Sequence, residues 1–259
     1  MNTDRKIRKV VKSFETMEGG GVMITRALPH NRVPLEDVDP FLLLDEAKID
    51  PKGPGFPEHP HRGFEIITYL LEGWGAHEDN MGNKGRIEAG GAMKLTAGSG
   101  IWHGEQAGGS AAKPDAIAHG LQFWVNLPLA EKKRKPEFQL LQAADVKELH
   151  EDGSKTRVIV GPGSPLKIVN PINYLDVSIE AGKTWQWDLD PSWQGYAYVI
   201  DGSGIFGSNA APAADADLVI LGEGGGLQVK NNGSETLRFM LAAGRPLKQP
   251  VIWNGPFVD

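Results

Sequence analysis

Almost nowhere in this chain do apolar residues recur at the three-to-four spacing of an amphipathic helix. They come instead in short alternating or β-branched runs closed by Gly or Pro. Such runs bury one face of a strand, because successive side chains point to opposite sides. The clearest are 64–71, 121–127, 157–160, 174–179, 184–189, 196–200, 218–221 and 236–241. In 121–125, Leu121, Phe123 and Val125 share one face, and Gln122 and Trp124 share the other. That makes Gln122 and Trp124 candidates to face a pocket. Many short strands with frequent turns predict an all-β sandwich or barrel. The 33 Gly and 18 Pro fit as turn punctuation. One segment, 142–149, reads as a short helix.

The 259 residues allow one large domain or two smaller ones. The run EKKRKPE at 131–137 is charged, contains Pro and reads as a solvated linker. It divides the chain into 1–135 and 136–259. An internal echo supports two copies of one β unit. Tyr69-Leu-Leu-Glu-Gly-Trp-Gly75 resembles Tyr198-Val-Ile-Asp-Gly-Ser-Gly204, 129 residues later. Each is a strand running into an acidic-Gly-x-Gly turn. A Gly-rich turn before a strand follows in each half, at 88–96 and 222–230.

No cysteine is present. That excludes a disulfide framework, a thiolate metal site, a Cys-held iron–sulfur cluster and a cysteine nucleophile. A metal here must be held by His and carboxylate. The formal net charge of −6 argues against nucleic-acid binding. The N-terminal segment is basic but lacks the apolar run of a signal peptide, and no stretch is long and apolar enough to span a membrane. A soluble cytoplasmic protein is expected, or a nuclear one in a eukaryote.

The histidines supply the chemistry. In HPHRGFE (59–65), His59 and His61 are two apart and point to the same side of an extended segment. IWHGE (101–105) does the same with His103 and Glu105. Two such pairs on neighbouring strands can converge as three imidazoles and one carboxylate. A His/carboxylate set with open positions suits Fe(II), and imidazole also suits Zn, Cu and Ni. Glu65 reads as a structural acid, with fifth ligand as the alternative. His77-Glu78-Asp79 reads as a solvated loop, with site entrance as the alternative. His119 reads as structural, and His30 and His150 as surface residues. No His follows His150. The echo maps His59 and His61 onto Asp188 and Asp190, which read more easily as a turn. The counterpart of the His103/Glu105 strand is expected near 236–241, so the second half is expected to hold no transition metal.

The strings FLLLDE (41–46), HPHRGFE (59–65), TYLLEG (68–73), AHED (76–79), TAGSGIWHGE (96–105), HGLQFWVNL (119–127), ILGEG (220–224) and GRPLKQPVIWNGPFV (244–258) resemble the pirin family. The resemblance implies a bicupin: two stacked antiparallel β-barrels, the first holding a metal and the second empty. The implied ligands are His59, His61, His103 and Glu105. The implied metal is Fe(II), with Mn, Ni, Cu, Zn or Co as substitutes. Some pirin-like proteins are similar to quercetin 2,3-dioxygenases. That implies a flavonol and O₂ as substrates, Glu105 as general base toward the flavonol 3-hydroxyl, and ring opening with loss of carbon monoxide. The alternative it implies is an iron-dependent regulator that binds a protein partner without physiological catalysis. A non-oxidative cupin activity is a third possibility. A monomer is expected. Family members usually continue past GPFV into a short helical segment, whereas Asp259 is the last residue here.

Overall fold

A computed structural model describes residues 3–53 and 55–259. Among these residues the only helical elements are three short 3₁₀ turns, and the rest of the regular structure is antiparallel strand. None of the helices is long and apolar enough to cross a membrane.

Each half contributes a large and a small sheet. In the first half the small sheet runs Phe56–His61, Ile101–Gly108, Trp74–Asp79, Lys84–Glu88 in spatial order. The large sheet runs Glu137–Leu141, Ala92–Thr96, Phe64–Glu72, Ala118–Asn126, Phe41–Ile49, Val22–Leu28, Phe14–Glu18. In the second half the small sheet is Thr184–Trp187, Leu227–Lys230, Ser203–Phe206, Ala211–Ala214. Its large sheet is Ile7–Lys12, Asp217–Leu221, Gln194–Asp201, Leu237–Gly244, Ile172–Ile179, Ser154–Val160, Lys147–Glu151. The two halves correspond position for position, so the echo in the sequence marks a repeated architecture.

The correspondence extends to an exchange of strands. Glu137–Leu141 pairs with Ala92–Thr96 of the first half, while Ile7–Lys12 pairs with Asp217–Leu221 of the second. Each half lends its leading strand to the other. The alignment also corrects one expectation. The counterpart of Ile101–Gly108 is Leu227–Lys230, and 236–241 instead matches Ala118–Asn126. A constant offset fails because the intervening loops differ in length.

Three local expectations change as well. Segment 142–149 forms a single 3₁₀ turn at Ala143–Asp145 and then a strand, Lys147–Glu151, paired with Ser154–Val160. In the basic run, Lys132 is buried and its Nζ donates to Gly63 O, Asn126 Oδ1 and Val258 O. His30 is buried, bridging Lys12 O and the Arg32 N–H. His150 is exposed, as expected.

The two large sheets pack face to face. Ile67, Tyr69, Leu121, Phe123 and Val125 from the first half meet Tyr174, Tyr196, Tyr198 and Met240 from the second in one core. Strand alternation then turns the neighbouring residues, Thr68, Leu70, Gln122 and Trp124, toward the inside of the first half. There the inter-sheet core is split into two clusters, one around Phe64, Leu95 and Trp124 and one of Leu70, Ile87 and Met93. In the second half the same space is one continuous core built on Trp185, Phe206, Leu227, Val229 and Phe239.

Candidate metal centre

Phe56–His61 and Ile101–Gly108 are antiparallel neighbours, and the register sets His103 opposite His59. His61 follows two residues after His59 on the same side. The three rings meet with centroid separations of 4.7 Å for His59 to His61, 4.5 Å for His59 to His103 and 5.1 Å for His61 to His103. One nitrogen from each ring lies within 4.8 Å of the others. No other group of this kind occurs among the described residues.

The hydrogen bonds suit a metal. His59 Nδ1 lies 2.7 Å from Pro57 O, and His61 Nδ1 lies 3.3 Å from Pro256 O. A carbonyl oxygen only accepts, so each Nδ1 carries the proton and each Nε2 keeps its lone pair. His103 Nδ1 contacts His77 Nδ1 at 3.3 Å. His103 Nε2 is buried with no hydrogen-bond partner. A buried polar atom left orphaned is costly. Here it sits in a cluster of imidazole donors, the ligand type of choice for first-row transition ions.

Burial holds His61 and His103 neutral. The pKa of each is pushed down to about 3, first by loss of solvation and then by neighbouring imidazoles. His61 is also wedged edge-on against Phe64 and Trp124, with centroids at 5.3 Å and 5.0 Å.

Glu105 is not a member of the three-imidazole group. The register slips between His103 and Glu105, so Glu105 lies opposite Phe56. Its Oε1 accepts from Thr68 Oγ1 at 3.0 Å and its Oε2 from Gln122 Nε2 at 2.8 Å. Trp124 Nε1 donates to Gln122 Oε1 at 3.2 Å and fixes that amide's orientation. Glu105, His59 and His61 line one cavity of about 700 Å³. Its other walls are largely apolar, with Leu43, Leu70, Met93 and Trp124, and Arg26 paired to Asp45 adds a polar patch. That volume is in the range of small-molecule sites.

Glu65 has the structural role read from the sequence. Alternation turns it away from the cavity, where it accepts from Lys94 Nζ, Thr96 Oγ1 and the Val169 N–H. His119 pairs with Glu46 at 2.6 Å. Asp190 accepts from Ser192 in a turn. In the second half, Trp185 and Trp187 occupy the strand equivalent to that of His59 and His61.

Two features of the centre escape the sequence reading. His77 and Asp79 are buried on the strand Trp74–Asp79, not in a solvated loop, because Gly75, His77 and Asp79 share its inner face and Glu78 its outer one. The i, i+2 spacing was the available signal. The second is the C-terminal hairpin Trp253–Val258, which returns to the first half. Trp253, Gly255 and Pro256 line the cavity, and Val258 enters the core beside Phe64.

Comparison with known proteins agrees with this architecture. The family model described as Pirin matches residues 21–125, and the Pirin C-terminal cupin domain matches 174–259. A pirin-like protein of Solanum lycopersicum is 36% identical, over 98% of this chain and 86% of its own length. Pirin of Homo sapiens is 38% identical, over 100% of this chain and 89% of its own length. Among solved structures, a quercetin 2,3-dioxygenase of Acinetobacter baumannii superposes with a TM-score of 0.88 at 27% identity, covering 98% of this chain and 92% of that one.

Proposed function

Because the chain belongs to the pirin family, we propose that it is a metal- and O₂-dependent dioxygenase that opens a flavonol of the quercetin type. The observation that carries this reading is the three-imidazole cluster beside an apolar cavity of about 700 Å³ that Glu105 also lines. The likeness to a quercetin 2,3-dioxygenase supports the choice of substrate. In this reading Fe(II) is held by His59, His61 and His103, with Glu105 as the fourth ligand. Mn, Ni, Cu, Zn or Co are substitutes. Bound there, the metal supplies a Lewis-acidic centre for a substrate hydroxyl and for O₂.

The remaining steps fall to the chain's own groups. Leu43, Leu70, Met93 and Trp124 present apolar surface that buries a flat aromatic substrate and excludes water. Glu105 takes the proton of the flavonol 3-hydroxyl. Thr68 and Gln122 hold its carboxylate in place from both sides. The same reading keeps the division at 135/136, with the metal in 1–135 and none in 136–259.

The test is incubation of the iron-loaded protein with quercetin, with and without air. The expected result is O₂-dependent loss of the flavonol absorption band with release of carbon monoxide, abolished in Glu105→Gln. No O₂-dependent loss of that band overturns the proposal.

One observation favours the regulatory reading. The hairpin that bonds His61 through Pro256 O is flanked by Ile252, which is 64% exposed. A change at the metal would thereby reach a surface that a protein partner can read. Identical protein capture by Fe(II)- and Fe(III)-loaded protein would count against it.

A further inference from the structure

We propose that His77 and Asp79 are positioning residues for the metal centre, forming a hydrogen-bonded relay that sets the tautomer of His103 and aims its Nε2 lone pair into the cluster. This rests on the metal reading above. The other two imidazoles need no such device, since their Nδ1 atoms face the carbonyl oxygens of Pro57 and Pro256. His103 is different. Its Nδ1 faces another imidazole nitrogen, His77 Nδ1, at 3.3 Å. That nitrogen can donate or accept, so by itself it fixes nothing.

Asp79 removes the ambiguity. Its Oδ2 lies 3.0 Å from His77 Nε2. Its Oδ1 accepts from the N–H groups of Met81 and Asn83 and from Asn83 Nδ2, at 2.9, 3.0 and 3.1 Å. Asn83 Nδ2 also reaches Oδ2, at 2.9 Å. An oxygen pair surrounded by donors is a carboxylate that accepts. In the neutral imidazole, His77 Nε2 therefore carries the proton and donates a hydrogen bond to Asp79, and His77 Nδ1 is left with a lone pair. His103 Nδ1 donates to that lone pair, and His103 Nε2 remains unprotonated. The opposite arrangement fails twice. It sets a His77 lone pair against a carboxylate, and it buries an N–H on His103 Nε2, which has no acceptor.

The relay is shielded from water. The side chains of His77 and Asp79 are 2% and 0% exposed. His77 stacks on Phe138 with ring centroids 4.1 Å apart and planes 10° from parallel. Phe138 lies on Glu137–Leu141, the strand that the second half lends to the first. The strand exchange thus clamps the relay in plane. Partners of this kind typically contribute about 10–100-fold to metal affinity.

Two variants separate a relay from a merely structural pair. Asp79→Asn is isosteric. Its amide NH₂ cannot sit among the three donors at Oδ1, so it takes the Oδ2 side and donates to His77 Nε2. The relay then reverses and puts the proton on His103 Nε2. His77→Phe keeps a ring against Phe138 but leaves the His103 tautomer unset. The measurements are the ¹⁵N NMR tautomer signature of His103 in the metal-free protein, and Ni(II) affinity by chelator competition. The wild type is expected to show His103 protonated at Nδ1, and Asp79→Asn at Nε2. Ni(II) affinity should fall about 10–100-fold in Asp79→Asn, and less in His77→Phe. A structural role predicts the reverse order, because His77→Phe is the more disruptive change. A wild-type His103 protonated at Nε2 overturns the relay, even if neither variant folds. So does a larger Ni(II) loss in His77→Phe than in Asp79→Asn. The expected tautomers with no Ni(II) binding by the wild type support the relay as a device of the fold and overturn the metal reading instead.

Discussion

Tyr69 reaches across the interface between the two large sheets and donates its phenol proton to Asp176 Oδ2 at 2.7 Å. Tyr198, its counterpart in the internal echo, donates to Glu46 of the first half. The two carboxylates lie on matching strands, Phe41–Ile49 and Ile172–Ile179. The echo therefore preserves a reciprocal pair of contacts as well as two turns. Asp176 is also gripped by Arg238 through both oxygens, at 3.0 Å and 2.8 Å. Tyr69→Phe should cost about 1.5–3 kcal/mol, since a hydrogen bond to a buried charge is lost. Urea unfolding checks this. In the cycle with Asp176→Asn, the two effects should be coupled by at least about 0.5 kcal/mol.

Gly63 permits the C-terminal hairpin to reach the three-histidine cluster. Its φ is +91°, and a Cβ built there would lie 1.7 Å from Val258 O. The Val258 N–H donates to Arg62 O at 2.9 Å, and Lys132 Nζ closes the joint by donating to Val258 O. Gly63→Ala should therefore displace residues 253–258 and remove Pro256 O from His61. The expected loss is of order 1–3 kcal/mol from backbone strain alone. Hydrogen exchange should show lost protection at Val258 and Asp259, with the second half unchanged. Full protection at Val258 would contradict this account.

Burial of two neutral imidazoles sets an acid limit on stability. His61 and His103 titrate near 3 in the folded protein, against 6.5 for an unperturbed imidazole. Between those values the unfolded chain binds protons that the folded chain refuses, so stability falls as pH drops. The contribution is complete above about 6.5 and lost below about 3, with a slope of up to about 1.4 kcal/mol per pH unit for each residue. Urea midpoints of the metal-free protein at pH 7, 6 and 5 should fall in that order. They should fall less steeply in His103→Gln. Equal slopes in the variant and the wild type would contradict the assignment.

Much of this was legible in the sequence because alternation is local. The strand at Phe64–Glu72, the shared face of Leu121, Phe123 and Val125, and the convergence of His59, His61 and His103 all follow from a period of two. Partner choice is not local. Nothing in IRKVVK says that it pairs with Asp217–Leu221, two hundred residues away. His77 and Asp79 are masked by their neighbours: Gly73 and Gly75 read as a continuing turn, which hides the i, i+2 alternation of the strand Trp74–Asp79. Lys132 is hidden inside a charged run, and the acceptors that make its burial tolerable, Gly63 O, Asn126 Oδ1 and Val258 O, converge from three separate segments, the last on the returning C-terminal hairpin.

The second half should be destabilised by changes that leave the proposed metal centre untouched. Trp185 is buried, and its Nε1 donates to Thr156 Oγ1 at 2.8 Å. It packs on Trp187 and Phe239 in the space that the first half keeps open for its cavity. Trp185→Ala should cost about 3–5 kcal/mol through the void it leaves, with further loss from the unpaired Thr156 hydroxyl. Metal stoichiometry at a temperature where the variant is folded should not change. His103→Ala should show the opposite pattern, abolishing most Ni(II) binding. Asp188→Ala should keep it. Comparable Ni(II) loss in His103→Ala and Asp188→Ala would mean that a second centre exists in the second half, against its filled core.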